Sequence, residues 1–140
     1  MWQDVDKLVN EAREIVDLPD NVIQKYRTAL EKAGRANDWE PNNPAVLTTL
    51  GAVQYRLGSY EDATKMLTES TRILAEANED QDPVNVALTG MVLQRTGHIE
   101  DAKATLDTLR ELCKKEEYLS WDMEVQALLA EAEKLIAVEK

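Results

Sequence analysis

Residues 44–67, PAVLTTLGAVQYRLGSYEDATKML, decide the fold, because a variant of the same stretch, PVNVALTGMVLQRTGHIEDAKATL, stands at residues 83–106. The two copies begin 39 residues apart, and nine aligned positions are identical. Repetition at such a period indicates one supersecondary unit stacked on a copy of itself. The identical pairs are Pro44/Pro83, Gly51/Gly90, Val53/Val92, Arg56/Arg95, Gly58/Gly97, Glu61/Glu100, Asp62/Asp101, Ala63/Ala102 and Leu67/Leu106.

Each copy predicts two helices joined by a tight turn. Pro44 and Pro83 each follow a residue with a side-chain oxygen, the combination that favours a helix start. Gly58 and Gly97 come where the first helix should end, and a left-handed residue is common there. The second helix of the first copy is predicted to begin at Ser59, with the side chain of that serine as its cap.

Gly51 and Gly90 fall in the middle of the first helices, where glycine costs about 1 kcal/mol relative to alanine. We therefore expect close contact between each glycine and the adjoining second helix. Spacings of three and four predict one buried stripe on each second helix. The stripes are Tyr60, Ala63, Leu67, Ser70 and Leu74 in one copy, and Ile99, Ala102, Leu106, Leu109 and Cys113 in the other.

The flanking segments predict three more helices. Residues 4–17 and 21–39 should form an irregular first pair, and Ser120 should cap a last helix. The inward residues are Val5, Leu8, Val9, Ala12 and Val16 in the first helix, and Val125, Leu128, Leu129, Ala132, Leu135 and Ile136 in the last. Residues 77–83 are predicted to form the longer loop that separates the two copies.

Composition limits the classes of function. The chain has 140 residues, 27 acidic against 16 basic, and a net charge of −11. That charge disfavours binding to nucleic acid or to anionic membranes. The sequence contains no apolar run long enough to span a membrane and no signal segment at its start, so we expect a cytoplasmic protein of one domain. A lone Cys113 agrees with a reducing compartment.

These patterns resemble the tetratricopeptide repeat family. The resemblance rests on Leu50-Gly51, Gly58, Tyr60 and Ala63, which match its LG followed by G-x-Y-x-x-A. The second copy departs from the pattern at two positions, with threonine before its central glycine and isoleucine in place of the tyrosine. More narrowly, TLGAVQYRLGSYEDA, TGHIEDAKATL and EAEKLI are similar to tetratricopeptide tails of large bacterial Ser/Thr kinases and propeller-containing proteins.

The resemblance implies an all-α fold, an α-solenoid in which antiparallel helix pairs form a right-handed superhelix. It divides the single domain into a degenerate first helix pair at 1–43, repeats at 44–82 and 83–117, and a capping helix at 118–140. In this family the first helices line a concave face that holds peptides. Carried over to this chain, the partner-binding residues are Thr48, Ala52, Tyr55, Arg56, Ala87, Met91, Gln94 and Arg95.

We therefore expect a module that binds a peptide or protein, whose partner carries acidic groups. The alternative is a structural spacer or self-association module within a larger protein. Arg56 and Arg95 have two interpretations of equal weight, because they either hold carboxylates of the partner or pair with neighbouring acidic side chains.

No enzymatic activity, cofactor or metal is expected. His98 is interpreted as a turn residue and Cys113 as a packing residue. The acidic run at 78–82 lacks the glycine of a calcium loop and is interpreted as a solvated loop. Trp39 is expected in the core, whereas Trp2 and Trp121 are candidates for partial exposure.

Overall fold

A computed structural model of the protein describes residues 2–19 and 22–136, without the side chains of Trp2, Gln3 and Tyr118. In these ranges the chain is helical and contains no strand, which confirms the predicted all-α class and its seven helices. The helices are α1 (Trp2–Val16), α2 (Ile23–Trp39), α3 (Pro44–Arg56), α4 (Tyr60–Glu76), α5 (Pro83–Arg95), α6 (Ile99–Lys115) and α7 (Met123–Ile136), with a 3₁₀ helix at Glu117–Trp121. Contacts divide the chain into two compact units, Met1–Asp80 and Gln81–Lys140.

The first unit is built around α3, which packs against α1, α2 and α4. Nine residues of α3 are buried, because a helix made mostly of apolar residues must be covered on most sides. The predicted stripe on α1 is confirmed, with Val9 half-buried and the others buried. The second helix of the irregular first pair was predicted to begin at Asn21, which lies outside the described residues. The corresponding helix, α2, is described from Ile23.

The second unit is built around α5, which packs against α6 and α7. The 3₁₀ helix lies against α6 and α7 and buries Leu119. In α7, the buried residues are Val125, Leu128, Ala132 and Ile136, with Leu129 and Leu135 half-buried, as the apolar face predicts. The last helix therefore covers α5 with its apolar face.

The predicted starts of α3 and α5 are confirmed. The Asn43 side chain accepts hydrogen bonds from the backbone N–H groups of Ala45 (3.0 Å) and Val46 (3.4 Å). The Asp82 side chain accepts one from Val84 at 2.9 Å. Both N-cap residues have an extended backbone, with ψ of 113° and 114°. This conformation directs the side-chain oxygen toward the first turn.

The predicted cap at Ser59 is wrong. Ser59 precedes α4, but its side chain makes no capping hydrogen bond. Its ψ is 66°, outside the extended region of the two effective caps, because its own N–H donates to the Gln54 carbonyl at 2.8 Å and closes the end of α3. Ser59 thus lies between the end of α3 and the start of α4, and its hydrogen bond to α3 determines its backbone conformation.

The predicted cap at Ser120 is also wrong. The Ser120 hydroxyl donates to the Glu117 carbonyl at 2.7 Å within the 3₁₀ helix. The cap of α7 is Asp122, whose carboxylate accepts from the Val125 N–H at 3.0 Å. The last helix therefore begins at Met123, later than a cap at Ser120 would place it.

Three helix ends share one backbone arrangement. Gly58 and Gly97 have φ of 80° and 86°, as predicted for left-handed terminal residues. Asn78, which the sequence analysis placed in a solvated loop, has φ of 58° and ends α4 in the same way. In each case the next residue's N–H donates back to a carbonyl five residues earlier, as in the Schellman motif. The donors are Ser59, Glu79 and His98, at 2.8, 2.9 and 2.9 Å.

The central glycines lie at close helix contacts, as predicted. A Cβ atom on Gly51 would lie 2.9 Å from Cγ and Cδ2 of Leu67 and 3.4 Å from the Ala63 carbonyl oxygen. A Cβ atom on Gly90 would lie 3.4 Å from both Thr105 and Ile136. The first glycine is therefore required by α4 alone, whereas the second faces α6 and α7.

Candidate interaction site

The eight residues predicted to bind a partner fall into two groups by burial. Six belong to the core, and only Arg56, half-buried, and Arg95, exposed, retain appreciable surface. The buried six are Thr48 (0% exposed), Ala52 (3%), Tyr55 (5%), Ala87 (2%), Met91 (0%) and Gln94 (5%). A role in binding stays a prediction for all eight, and direct contact with a partner is open chiefly to the two arginines.

Arg56 holds two helices of the first unit together. Its Nε–H donates to the Val16 carbonyl at 2.8 Å, which ties the end of α3 to the end of α1. Its guanidinium carbon lies 5.6 Å from the centroid of the Tyr55 ring, within the range of a cation–π contact. The Tyr55 ring in turn lies 5.8 Å from that of Tyr60, between centroids. These contacts give Arg56 a structural role.

Thr48 owes its position to a buried polar contact between α3 and α4. Its hydroxyl lies 2.8 Å from the Ser70 hydroxyl, which donates to the Pro44 carbonyl at 2.9 Å. Both side chains are 0% exposed. Buried hydroxyls are tolerated because each finds a partner. The pair fixes the register of the two helices, and Thr48 has no surface to offer a ligand.

A cleft between α1 and α2 contains the charged surface that the sequence analysis did not single out. It has a volume of about 360 Å³ and lies within the first unit. Its lining combines three cationic side chains, two carboxylates, a leucine and a tryptophan. The lining residues are Asp4, Lys7, Leu8, Glu11, Lys32, Arg35 and Trp39.

The charges of the cleft converge on Glu11. Lys32 Nζ donates to Glu11 Oε2 at 2.5 Å, and both side chains are partly shielded, 26% and 33% exposed. The hydrogen bond from Lys32 lowers the pKa of the Glu11 carboxyl, against an opposing effect of desolvation, and attraction to Lys7 and Arg35 lowers it further. Glu11 is therefore paired with Lys32 and lies in the field of two further cations of the cleft.

Trp39 ends α2 at the edge of this cleft. It is 41% exposed, so the prediction that it belongs to the core is wrong. Trp39 is the last residue of α2, and the buried position in that final turn is taken by Ala36, three residues earlier. A large aromatic side chain that remains in contact with water beside charged groups is typical of binding surfaces.

The sequence did contain a signal for this site. α2 carries four basic side chains (Lys25, Arg27, Lys32 and Arg35) against two acidic ones, in a chain with 27 acidic and 16 basic residues. Pairing of Glu11 with Lys32, and the place of Lys7 in the same cleft, depend on how α1 packs on α2, which the repeat pattern does not specify. The basic excess could therefore be recognised from the sequence, but the cleft could not.

The second unit has exposed apolar residues of its own. Trp121 is 79% exposed, in agreement with the sequence analysis, and Met123 is 86% exposed. The side chain of Trp2, the other tryptophan expected at the surface, lies outside the described residues. A groove of about 540 Å³ also lies on α6, lined by Gln81, Asp107, Thr108, Glu111, Leu112 and Lys115.

Reactive groups are placed as the sequence analysis anticipated. His98 is exposed at the turn before α6, and Cys113 is half-buried on α6. Burial, with a smaller contribution from Glu133, raises the pKa of the Cys113 thiol, which disfavours the nucleophilic thiolate. In the described part of the chain, no three His, Cys, Asp or Glu side chains are grouped where a metal ion could bind.

Within residues 2–19 and 22–136, no helix combines the length and apolar character needed to cross a membrane. Comparison of the chain with models of protein families, with curated proteins and with solved structures finds no significant match.

Proposed function

We propose that this chain is a non-catalytic protein-interaction module of the tetratricopeptide type, in which antiparallel helix pairs continue as a right-handed solenoid capped by α7. Three features support the proposal: the repeated hairpin sequence, the shared left-handed helix ends and the central glycines at helix contacts. The partner would be a protein or a peptide segment.

The observation that carries the binding role is Trp39 at the edge of the charged α1–α2 cleft. Tryptophan offers a large apolar area and loses little side-chain entropy when a ligand covers it. Cationic side chains beside it supply orientation and selectivity. This combination resembles the composition of residues that dominate binding energy in protein interfaces, where tryptophan and arginine are enriched.

A second candidate function, self-association, is favoured by Trp121 and Met123. These two large apolar side chains are exposed close together in sequence, where a second copy of the chain would cover them. The alternative role as a spacer or assembly module uses this surface instead of the α1–α2 cleft. Sedimentation of the chain over a range of concentrations separates the two candidates, since only self-association depends on concentration.

The binding role is tested by selecting ligands from a displayed library of random peptides on the intact chain. We expect selected peptides to lose binding to Trp39→Ala by roughly tenfold or more, as for an anchoring aromatic residue. Trp121→Ala is the matched control and should bind them as the parent chain does. Thermal melting of both variants checks that they are folded.

Failure to select any peptide, or selection of peptides that bind Trp39→Ala as well as the parent, would count against this role for the cleft. The double variant Arg56→Ala with Arg95→Ala adds a separate arm. If it keeps its stability and loses the selected peptides, the partner contacts the arginines as the family resemblance implies.

A further inference from the structure

We infer that the α1–α2 cleft binds an acidic segment of the partner, and that Glu11 occupies the place that a carboxylate of that segment takes when bound. The inference rests on the proposed binding function and specifies its ligand. Glu11 would then be an internal competitor, which a ligand carboxylate must displace from Lys32.

The charge of the cleft is complementary to that of an acidic segment. Lys7, Lys32 and Arg35 line the cleft together with Asp4 and Glu11, so the cleft has an excess of positive charge in a chain whose net charge is −11. If Glu11 moves away, Lys32 loses the anion it is paired with, and the three cations of the cleft face Asp4 alone. Taking up a carboxylate at that position restores the arrangement, and guanidinium and ammonium groups bind carboxylates through strong, charge-assisted hydrogen bonds.

The ion pair between Glu11 and Lys32 lies at the surface of the first unit. Its side chain is one-third exposed and lies on the surface of α1, so rotation about its side-chain bonds can carry the carboxylate into water. Lys32 is comparably exposed, at 26%, so the ion pair is partly open to water, where such pairs contribute little stability. The site thus presents a cation whose present anion can be exchanged at little cost.

The charge of the first unit favours a short acidic peptide over a long polyanion. The first unit contains more acidic than basic residues, and a nucleic acid that extended beyond the cleft would be repelled by them. A short acidic segment contacts only the cleft. An apolar side chain in the same segment could cover Trp39, whose 41% exposure leaves one face available.

The test uses the intact chain and a capped peptide of glutamates around a central leucine, with a glutamine version of the same peptide as the uncharged probe. Dissociation constants are measured by calorimetry at low and high salt. We expect the glutamate peptide to bind, the glutamine peptide to bind at least about tenfold more weakly, and added salt to weaken binding.

Two charge variants give opposite results if the inference is correct. Lys32→Gln should weaken binding of the glutamate peptide by about three- to tenfold, and Glu11→Gln should strengthen it by a similar factor, because the competing anion is gone. The matched controls are Lys65→Gln and Glu61→Gln, which change the net charge equally at an exposed ion pair on α4. Both should leave affinity within about twofold. If Lys32→Gln melts early, the exposed Arg35→Gln replaces it.

Several outcomes overturn the inference. Equal affinities for Glu11→Gln and Glu61→Gln would show that Glu11 does not compete. Equal binding of the glutamine peptide would show that the cleft selects apolar residues. Loss of self-association in Lys32→Gln, without binding of the glutamate peptide, would make a second copy the occupant. Library peptides that depend on Trp39 but carry no acidic residues would contradict this inference while the proposed function stands.

Discussion

The hairpins α3–α4 and α5–α6 follow the same sequence pattern but have different interiors. The first contains the buried hydroxyl pair Thr48 and Ser70, 2.8 Å apart. The corresponding positions of the second hold Ala87 and Leu109, which are buried and apolar. A hydrogen-bonded pair and an apolar pair thus occupy equivalent places in one type of hairpin, because each leaves no polar group without a partner.

What the two hairpins share is backbone geometry. Both begin with a proline after a capping side chain, and both have a left-handed glycine at the turn. These positions tolerate few residue types, since proline fixes φ and glycine has no Cβ. The interior positions tolerate more, provided that they change together. The two copies of the repeat are therefore more alike at positions that constrain the backbone than at positions in the core.

The hairpins also differ in what covers their central helix. α3 packs against α1, α2 and α4, whereas α5 packs against α6 and α7 within its unit. Removing the chain after Glu117 deletes α7, and with it Ile136, which lies beside Gly90. We expect this truncation to abolish the cooperative melting of the second unit and to cause aggregation, because a large apolar face becomes exposed.

Circular dichroism during heating, together with light scattering, measures this effect. Trp121→Ala is the control, because it changes an exposed residue of the deleted segment and should leave the melting temperature unchanged. A truncated chain that melts like the parent would show that α7 is dispensable and would break the contrast between the two central helices.

Alanine at the two central glycines should have different effects. Gly51→Ala is expected to destabilise the protein by about 1 to 3 kcal/mol, because its Cβ would overlap Leu67 at 2.9 Å. Gly90→Ala should remain within about 1 kcal/mol of the parent, since its contacts are 3.4 Å and alanine favours the helix. Urea denaturation measures both free energies of unfolding.

Gly34→Ala is the reference for helix propensity alone. A Cβ there meets nothing within 4 Å, so stability should rise by up to about 1 kcal/mol. Equal losses of stability in Gly51→Ala and Gly90→Ala would mean that the two glycines lie at equally tight helix contacts.

The hydroxyl pair tests the difference between the two interiors directly. Thr48→Val and Ser70→Ala should each cost about 1 to 2 kcal/mol, because each leaves a buried hydroxyl or carbonyl with fewer hydrogen bonds. The double variant should cost clearly less than the sum of the two, which a double-mutant cycle measures as a coupling energy. Thr68→Val, at an exposed position on α4, the helix of Ser70, should change stability by less than about 0.5 kcal/mol. An additive result would show that the hydroxyl contact contributes nothing beyond packing.

The sequence predicted those features that depend on residues adjacent in the chain. Pro44, Pro83, Gly58 and Gly97 are examples, because the proline ring or the absent side chain determines the local backbone. The apolar stripes were also predictable from their spacing. The left-handed Asn78 was missed because asparagine is equally common in loops that end no helix.

Features that depend on two local signals at once, or on packing between helices, could not be predicted. Ser59 has the residue type of a cap, but the end of α3 already sets its backbone. Trp39 was assigned to the core from its place at a helix end between two helix pairs, whereas Ala36 fills the buried position at the end of α2. Predicting the α1–α2 cleft would require knowing how each helix is rotated about its own axis, because that rotation decides which charged side chains face each other.

The left-handed residues at three helix ends have a consequence for the order in which the protein folds during synthesis. A turn set by adjacent residues joins two helices through a short loop, whose closure costs little conformational entropy. Contacts between helices that follow each other in the chain form rapidly. Synthesis proceeds at about 5 to 20 residues per second, far slower than helix formation. Once both helices have left the ribosome, α3 and α4 can therefore cover each other's apolar faces, with Leu67 against Gly51, before α7 has emerged.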